Sequence, residues 1–331
     1  MRNVCTKGGA TYTAVMKNAC VRLLFAALLC LPLALPASPV GWKPLLEAAE
    51  LATVLQENSN VRVLQVTGNF ARAHIPGALE SPYSDWRGPI ENPGALHDLP
   101  EFTLQLQQLG ILASTPVVVV HAGTTAADMG AATRVYWTLK TLGVLDVAVV
   151  NGGLRAWEEL GLPLSTETSS VQRSDYQPQW QNQWRATTSE VEELLDSGNA
   201  RLIDARPPAY FLGTQSSFGR PGTIRGAVNQ NYEDWFSGTR LKSSEELRAI
   251  YSATGGSPSP VTVAFCNTGH WSAINWFVMS ELLQVSNARL YAESMAEWSK
   301  IYRPMDNHPS RLGIYGAKTR DWLKSLWPGN S

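Results

Sequence analysis

The sequence predicts an α/β protein of two consecutive domains, each a parallel sheet with helices on both faces. The chain has 331 residues, which is more than one typical domain needs. Short apolar strand patterns alternate with helical patterns along the chain, as in doubly wound sheets. Three elements of the first half also recur in the second half, in the same order and at similar spacing, which indicates an internal repeat.

The composition excludes some classes of function. The formal net charge is −1, so the chain lacks the basic character of a nucleic-acid-binding protein. Several of the twelve tryptophans stand at helix-like positions, where we expect them to form core rather than ligand platforms.

The first 37 residues have the layout of a secretory signal peptide. An apolar run over residues 23–35 is too short to span a bilayer comfortably, Lys17 and Arg22 precede it, and small residues follow. We therefore predict a signal peptide over residues 1–37, with translation starting at Met16. The mature chain would be exported, to a bacterial periplasm, without stable membrane association.

Two alternatives apply to the same segment. It could remain as an uncleaved anchor. It could also be a lipoprotein signal at Cys30, but Leu29 is bulky where a small residue would be wanted.

The positions of the cysteines indicate that the mature, exported chain would carry a single thiol. Cys5, Cys20 and Cys30 fall in the predicted signal peptide, which leaves Cys266 in the mature chain. A lone thiol in an oxidising compartment cannot form an internal disulfide. It is therefore either inert or reactive.

Strand and helix patterns alternate through the first half, residues 43–165. The predicted helices cover residues 47–56 and 99–109, with a third running through 136–139. The predicted strands cover residues 61–66, 116–121 and 147–150.

The second half repeats this order after a polar linker over residues 166–186. It forms a predicted domain over residues 187–328. Its predicted helices cover 189–195 and 244–251, and its predicted strands cover 202–206 and 261–265.

The most informative stretch lies where the last of these strands ends. Cys266 follows the strand, Gly269 lies in the next turn, and an apolar helical pattern covers residues 273–283. A loop between a strand and a helix can turn several backbone N–H groups toward one anion. A cysteine at its mouth would be held as the nucleophilic thiolate, although a buried structural cysteine is the plainer alternative.

The loop Cys266-Asn267-Thr268-Gly269-His270-Trp271-Ser272 resembles the active loop of rhodaneses, the sulfurtransferases that carry sulfane sulfur as a cysteine persulfide. Further matches lie at the His-Ile-Pro-Gly-Ala stretch 74–78, the Asn-Gly-Gly-x-x-x-Trp stretch 151–157 and the Asp-x-Arg stretch 204–206, which Phe211-Leu212-Gly213-Thr214 follows. Stretches 223–228 and 290–298 repeat the first two of these in the second half. The resemblance covers nearly the whole mature chain, in the manner of tandem-domain thiosulfate or 3-mercaptopyruvate sulfurtransferases.

The resemblance implies a mechanism and a set of site residues. Cys266 would take sulfane sulfur from thiosulfate or 3-mercaptopyruvate as a persulfide, and cyanide or a thiol would remove it. Neither a metal nor an organic cofactor is needed, and we expect a monomer. Asp204 and Glu293 would support the site. The implied substrate-binding residues are Asn267, Thr268, Gly269, His270, Trp271, Ser272, Arg206 and Tyr210.

Some of these residues have two interpretations. His270 could contact substrate or be an exposed loop residue, and Trp271 could pack at the pocket wall. Asp204 and Arg206 could form an ion pair beneath the loop. The first half has His121 where an active cysteine would stand, so we predict that its domain is catalytically silent.

The loop also departs from the family. Asn267 and Thr268 stand where thiosulfate-specific members carry basic residues, and Tyr210 replaces a substrate-contacting arginine. The Gly-Ser-Gly sequence of mercaptopyruvate members is absent as well. The sequence therefore leaves the donor open between the two.

Three other functions compete with this interpretation. A cysteine phosphatase or arsenate reductase needs an arginine to close the loop around a tetrahedral anion, and Ser272 stands at that position. A non-catalytic carrier or sensor of sulfane sulfur would use the same cysteine without turnover. A rhodanese-type interaction module would need neither Cys266 nor Gly269.

Overall fold

The computed structural model describes residues 38–255 and 260–308. The predicted signal peptide and the end of the predicted second domain, beyond residue 308, lie outside these ranges. Within them, no helix is both long and apolar enough to cross a bilayer.

The first domain is built on a five-stranded parallel sheet with the order β1-β5-β4-β2-β3. Its strands are β1 Leu45–Leu46, β2 Arg62–Gln65, β3 Leu79–Glu80, β4 Val117–Val120 and β5 Val147–Val150. Its helices are α1 Ala48–Glu57, α2 Leu99–Gln108, α3 Asp128–Thr141 and α4 Gly153–Glu159, with a 3₁₀ turn at Tyr83–Trp86.

The four valines of β4 show why this sheet is covered on both faces. Val117 and Val119 pack into one core, and Val118 and Val120 pack into the core on the opposite face. Successive side chains of a strand point to opposite faces, so a strand buried on both faces is apolar throughout.

The second domain repeats the arrangement with a four-stranded parallel sheet, β12-β11-β6-β8. A parallel bridge from Arg185 to Leu290 stands where β1 pairs in the first domain. The parallel strands are β6 Ala200–Asp204, β8 Val228–Asn229, β11 Val261–Phe265 and β12 Ala288–Leu290. The helices are α5 Thr188–Ser197, α6 Pro208–Phe211, α7 Ser244–Ala253, α8 Trp271–Phe277 and α9 Ser294–Trp298, with 3₁₀ turns at Asn182–Trp184 and Tyr232–Trp235.

Some features differ from the sequence predictions. Two short antiparallel pairs were not predicted: β9 Phe236–Ser237 with β10 Arg240–Leu241, and β7 Thr223–Ile224 with β13 Met305–Asp306. The strand predicted over 202–206 begins at residue 200 and ends at residue 204. The helix predicted over 273–283 is α8 followed by a π-helical segment, Val278–Leu282.

The two domains share one hydrophobic core, which runs through the packed helices α3 and α8. The ring of Tyr136 on α3 meets Phe277 edge-on at 5.0 Å and lies 6.1 Å from Trp276. Its hydroxyl donates to Glu281 Oε2 at 2.6 Å, and Lys140 Nζ lies 2.9 Å from the same oxygen. The side-chain polar groups of Tyr136, Lys140 and Glu281 at this interface are therefore paired, as buried polar groups usually are.

We expect Trp276→Ala to lower the free energy of unfolding by about 3–5 kcal/mol, because it leaves a cavity in this shared core. Trp276 is fully buried, and its indole N–H donates to the Ala288 carbonyl at 3.0 Å. Urea unfolding followed by circular dichroism measures the change. Leu145→Ala, at a position 58% exposed, is the control. A loss below about 1 kcal/mol for Trp276→Ala would contradict the packing described.

Candidate active site

Cys266 lies at the end of β11, at the base of the loop that leads into α8. Its side chain is buried, with 1% of the residue exposed. The Ser272 hydroxyl donates to Cys266 Sγ at 3.3 Å, and the Cys266 N–H donates to Ser294 Oγ at 3.1 Å. The Ser272 hydroxyl thus presents a hydrogen-bond donor directly to the sulfur atom.

The loop is held from the side by α9. The carbonyl oxygens of Cys266 and Asn267 accept from the backbone N–H groups of Met295 at 3.1 Å and Ala296 at 2.9 Å. These donors belong to the first turn of α9, where helix N–H groups have no partner within the helix. These hydrogen bonds pair carbonyl groups of the loop with N–H groups of α9, and they fix the backbone around the cysteine.

Gly269 turns the loop where no other residue fits. Its φ of +72° lies in the left-handed region, which glycine adopts without strain. A Cβ at this position would lie 2.2 Å from Arg134 Nη1 and 2.5 Å from the Ala292 carbonyl oxygen.

Asp204 and Arg206 form a buried ion pair beneath the loop. Arg206 Nη2 lies 2.6 Å from Asp204 Oδ2, and Nε lies 2.9 Å from Oδ1. Arg206 Nη1 also reaches Asn267 Oδ1 at 3.4 Å, and the Thr223 hydroxyl donates to Asp204 Oδ2 at 2.8 Å. Arg206 is only 2% exposed, so it is placed to support the loop from below.

A cavity of about 860 Å³ opens above Cys266 and is lined by both domains. Among the residues predicted to bind substrate, Asn267, Thr268, His270 and Trp271 line it. Further lining residues come from the first domain (Tyr83, Ser84, Arg87, Gly88, Ile90 and Pro93) and from the second domain (Ser217 and Phe218).

The other predicted site residues lie around this cavity without lining it. The Tyr210 ring meets the Trp271 ring edge-on at 6.1 Å. Glu293 is buried and pairs with Arg185, at 2.8 Å between Oε1 and Nη2. Gly269 and Ser272 act on the loop and on the sulfur atom, as described above.

His270 and Trp271 are both packed against neighbours. Trp271 stacks on Tyr232, with 5.1 Å between ring centroids, which makes it part of the cavity wall. His270 Nδ1 lies 3.1 Å from the Tyr83 hydroxyl of the first domain, and a Cβ at Gly130 would come within 2.7 Å of His270 Nε2. Burial lowers the pKa of His270 to about 4. The interpretation as an exposed loop residue does not fit this docked, uncharged imidazole.

Arg134 is the main site residue that the sequence prediction missed. It lies on α3 of the first domain, is fully buried, and donates from Nη2 to the Gly94 carbonyl at 2.7 Å. Within the part of the chain the structure describes, its Nε and Nη1 have no hydrogen-bond partner. Burial lowers the pKa of Arg134 to about 10, so it remains charged at neutral pH. An arginine in the middle of an apolar helix was the available signal.

The corresponding loop of the first domain is filled by its own chain. His121 follows β4 as Cys266 follows β11. The Asp128 carboxylate accepts from the backbone N–H of Thr124 at 2.8 Å and of Thr125 at 3.1 Å, and from both threonine hydroxyls. A carboxylate of the protein thus occupies the amides that an anionic sulfur would need.

His121 gives this domain a distinct pH dependence. Burial lowers its pKa to about 4, whereas an unfolded histidine has a pKa of about 6.5. Between these pH values the unfolded state binds more protons, so stability falls as the pH falls. From pH 8 to pH 5, we expect wild type to lose about 2 kcal/mol more unfolding free energy than His121→Phe loses.

Urea titrations at both pH values measure this difference. His121→Leu serves as a second variant, so that poor packing of one replacement does not decide the result. Equal losses in wild type and both variants would show that His121 is not held neutral.

We expect Gly269→Ala to destabilise the protein more than Gly226→Ala does. Both glycines have positive φ, +72° and +74°, so each alanine carries backbone strain of about 1–3 kcal/mol. Only the Cβ at 269 meets other atoms, because no atom lies within 4 Å of a Cβ at 226. Urea unfolding measures both variants. Equal destabilisation would contradict the close approach of Arg134 to Gly269.

Comparison with known proteins places this site in a family. The model of the rhodanese-like domain matches residues 48–160 and 187–301. A putative thiosulfate sulfurtransferase of Synechococcus elongatus is 29% identical over 318 residues, covering 89% of this chain and 95% of that protein. Human 3-mercaptopyruvate sulfurtransferase is 31% identical over 248 residues, covering 72% of this chain and 80% of that protein.

A solved structure has the same fold. The crystal structure of SseA from Escherichia coli, described with the rhodanese fold of 3-mercaptopyruvate sulfotransferases, superposes with a TM-score of 0.68. The two chains are 22% identical, and the match covers 76% of this chain and 98% of SseA. With two matched domains and these relatives, the chain belongs to the rhodanese-like sulfurtransferase family.

Proposed function

We propose that this chain moves sulfane sulfur from thiosulfate or 3-mercaptopyruvate to cyanide or a thiol, through a persulfide on Cys266. The observation that carries the proposal is the position of Cys266 Sγ at the base of a two-domain cavity, with the Ser272 hydroxyl donating to it. The names of the relatives from Synechococcus elongatus and human supply the two donors.

In the first step the Cys266 thiolate attacks the transferable sulfur of the donor, which is the sulfane sulfur of thiosulfate or the thiol sulfur of 3-mercaptopyruvate. With thiosulfate, a new S–S bond forms at Cys266 Sγ, the S–S bond of the donor breaks, and sulfite leaves with the electron pair. With 3-mercaptopyruvate, the C–S bond breaks and the thiol proton ends on the methyl group of pyruvate. In the second step, cyanide or a thiolate attacks the outer sulfur and restores the Cys266 thiolate.

The persulfide anion would be stabilised by groups of both domains. The Ser272 hydroxyl lies next to the sulfur. Within the described residues, the backbone N–H groups of 267–270 donate to no protein acceptor, which leaves them for an anion. A negative charge on the Cys266 sulfur would also be attracted by the guanidinium of Arg134 from the first domain.

We also propose that the chain is exported and acts as a monomer. Export rests on the pattern of residues 1–37. The monomer proposal is supported by the cavity, which the two domains of one chain complete without a second copy.

Intact-mass spectrometry tests the persulfide step. Wild-type protein treated with thiosulfate or 3-mercaptopyruvate should gain about 32 Da and lose this mass again when cyanide is added. The Cys266→Ser variant should show no gain in mass. Ser272→Ala should load sulfur about ten-fold more slowly, because a hydrogen bond to the charged sulfur is lost. Ser84→Ala is its matched control, since Ser84 lines the cavity and bonds Asp85.

Two outcomes would change the proposal. If neither donor nor a polysulfide loads Cys266, the sulfurtransferase function is wrong. If sulfur loads once but thiocyanate does not accumulate over many turnovers, the chain is a carrier of sulfane sulfur rather than a catalyst.

A further inference from the structure

The charge of the cavity lining is concentrated in one side chain. Among the described residues that line the cavity, Arg87 is the only lysine or arginine, and no aspartate or glutamate lines it. Asn267 and Thr268 of the loop, at the positions next to the cysteine, are neutral. Among the lining residues, Arg87 is therefore the cation that an entering anion can contact directly.

The guanidinium of Arg87 is oriented by the first domain. Its Nη1 donates to the Tyr83 hydroxyl at 2.6 Å, and its Cζ lies 5.0 Å from the centre of the Tyr83 ring. Arg87 has no ion pair within the described part of the chain. A guanidinium presents five N–H donors, so most of its donors are left for a ligand.

Tyr83 also connects Arg87 to the active loop. Its hydroxyl lies 3.1 Å from His270 Nδ1, four residues after Cys266. The cation is thus held in a defined position relative to the reactive sulfur. A cation in a fixed position can orient a bound donor toward the sulfur atom of Cys266.

The rest of the lining is largely apolar. The apolar lining residues are Ile90, Pro93, Phe218 and Trp271. Ile90 is 87% exposed to solvent. The volume of about 860 Å³ falls in the range of about 300–1,000 Å³ that suits organic ligands. Thiosulfate, an inorganic anion of a few atoms, would leave this apolar surface uncovered.

Building on the proposed function, we propose that the preferred sulfur donor is an organic anion that joins a thiosulfonate or carboxylate group to an apolar body. The anionic group binds Arg87, the body lies against Ile90 and Phe218, and the sulfane sulfur reaches Cys266 Sγ. Arg87, contributed by the domain without a cysteine in its loop, is then a specificity-determining residue.

The transfer step balances for a thiosulfonate, R–SO₂–S⁻. The Cys266 thiolate attacks the terminal sulfur, the S–S bond of the donor breaks, and a bond to Sγ forms. The sulfinate R–SO₂⁻ leaves with the electron pair, and Cys266 holds the persulfide anion. No oxidant, reductant or further reactant is consumed.

The test compares two donors that share the thiosulfonate group, benzenethiosulfonate and methanethiosulfonate. Rates of persulfide formation on the full-length protein are followed by rapid-quench intact-mass spectrometry. We expect wild type to use the aryl donor at least about ten-fold better, from burial of the ring. Phe218→Ala and Ile90→Ala should remove most of this preference, because they should slow the aryl donor much more than the methyl donor.

Arg87 is tested in the same assay by charge. Arg87→Met should slow both donors by about ten-fold or more, and Arg87→Lys should recover part of the loss, because it keeps the charge but not the fork of donors. Arg72→Met and Leu104→Ala are the matched controls. Both replace exposed residues of the first domain that do not line the cavity, and both should react like wild type.

The outcomes separate this inference from the proposed function. Loading of Cys266 by both donors at equal rates, or with no effect of Arg87→Met, would overturn the inference and leave the sulfurtransferase intact. Failure of every donor, including methanethiosulfonate, thiosulfate and 3-mercaptopyruvate, would overturn both.

Discussion

The buried charge of Arg134 is the constraint on which the arrangement of this site depends. A fully desolvated guanidinium is costly unless other groups compensate it. The Gly94 carbonyl accepts one hydrogen bond, and the Trp137 ring lies 5.1 Å from the guanidinium carbon. Further compensation comes from the second domain, where the negative charge of Glu293 attracts the guanidinium. Groups of the second domain therefore balance the positive charge that Arg134 contributes from the first domain.

The loop after the central strand binds different partners in the two domains. In the second domain, the carbonyls of the loop are held by α9 and its N–H groups are left unpaired within the described residues. In the first domain, Asp128 occupies the N–H groups of Thr124 and Thr125. A repeated fold can thus keep its backbone while a single carboxylate removes the anion site.

Much of the fold and the loop could be predicted from the sequence, because both depend on residues close together in the chain. The valines of β4 and the residues from β11 into α8 carry their own periodicity. The two-residue strands β9 and β10 were missed, since a pair of residues has no period to detect. Arg87 and Arg134 were missed as well. Their roles arise from contacts across the domain boundary, such as that between Tyr83 and His270, which are 187 residues apart.

The contact between Gly130 and His270 limits which residues the two domains can carry at these positions. The imidazole occupies the volume that any side chain at 130 would need, so each position limits what the other can be. A side chain at position 130 would therefore displace the imidazole that joins the loop of the second domain to the first domain. Among relatives, a larger residue at position 130 should be accompanied by a smaller one at position 270.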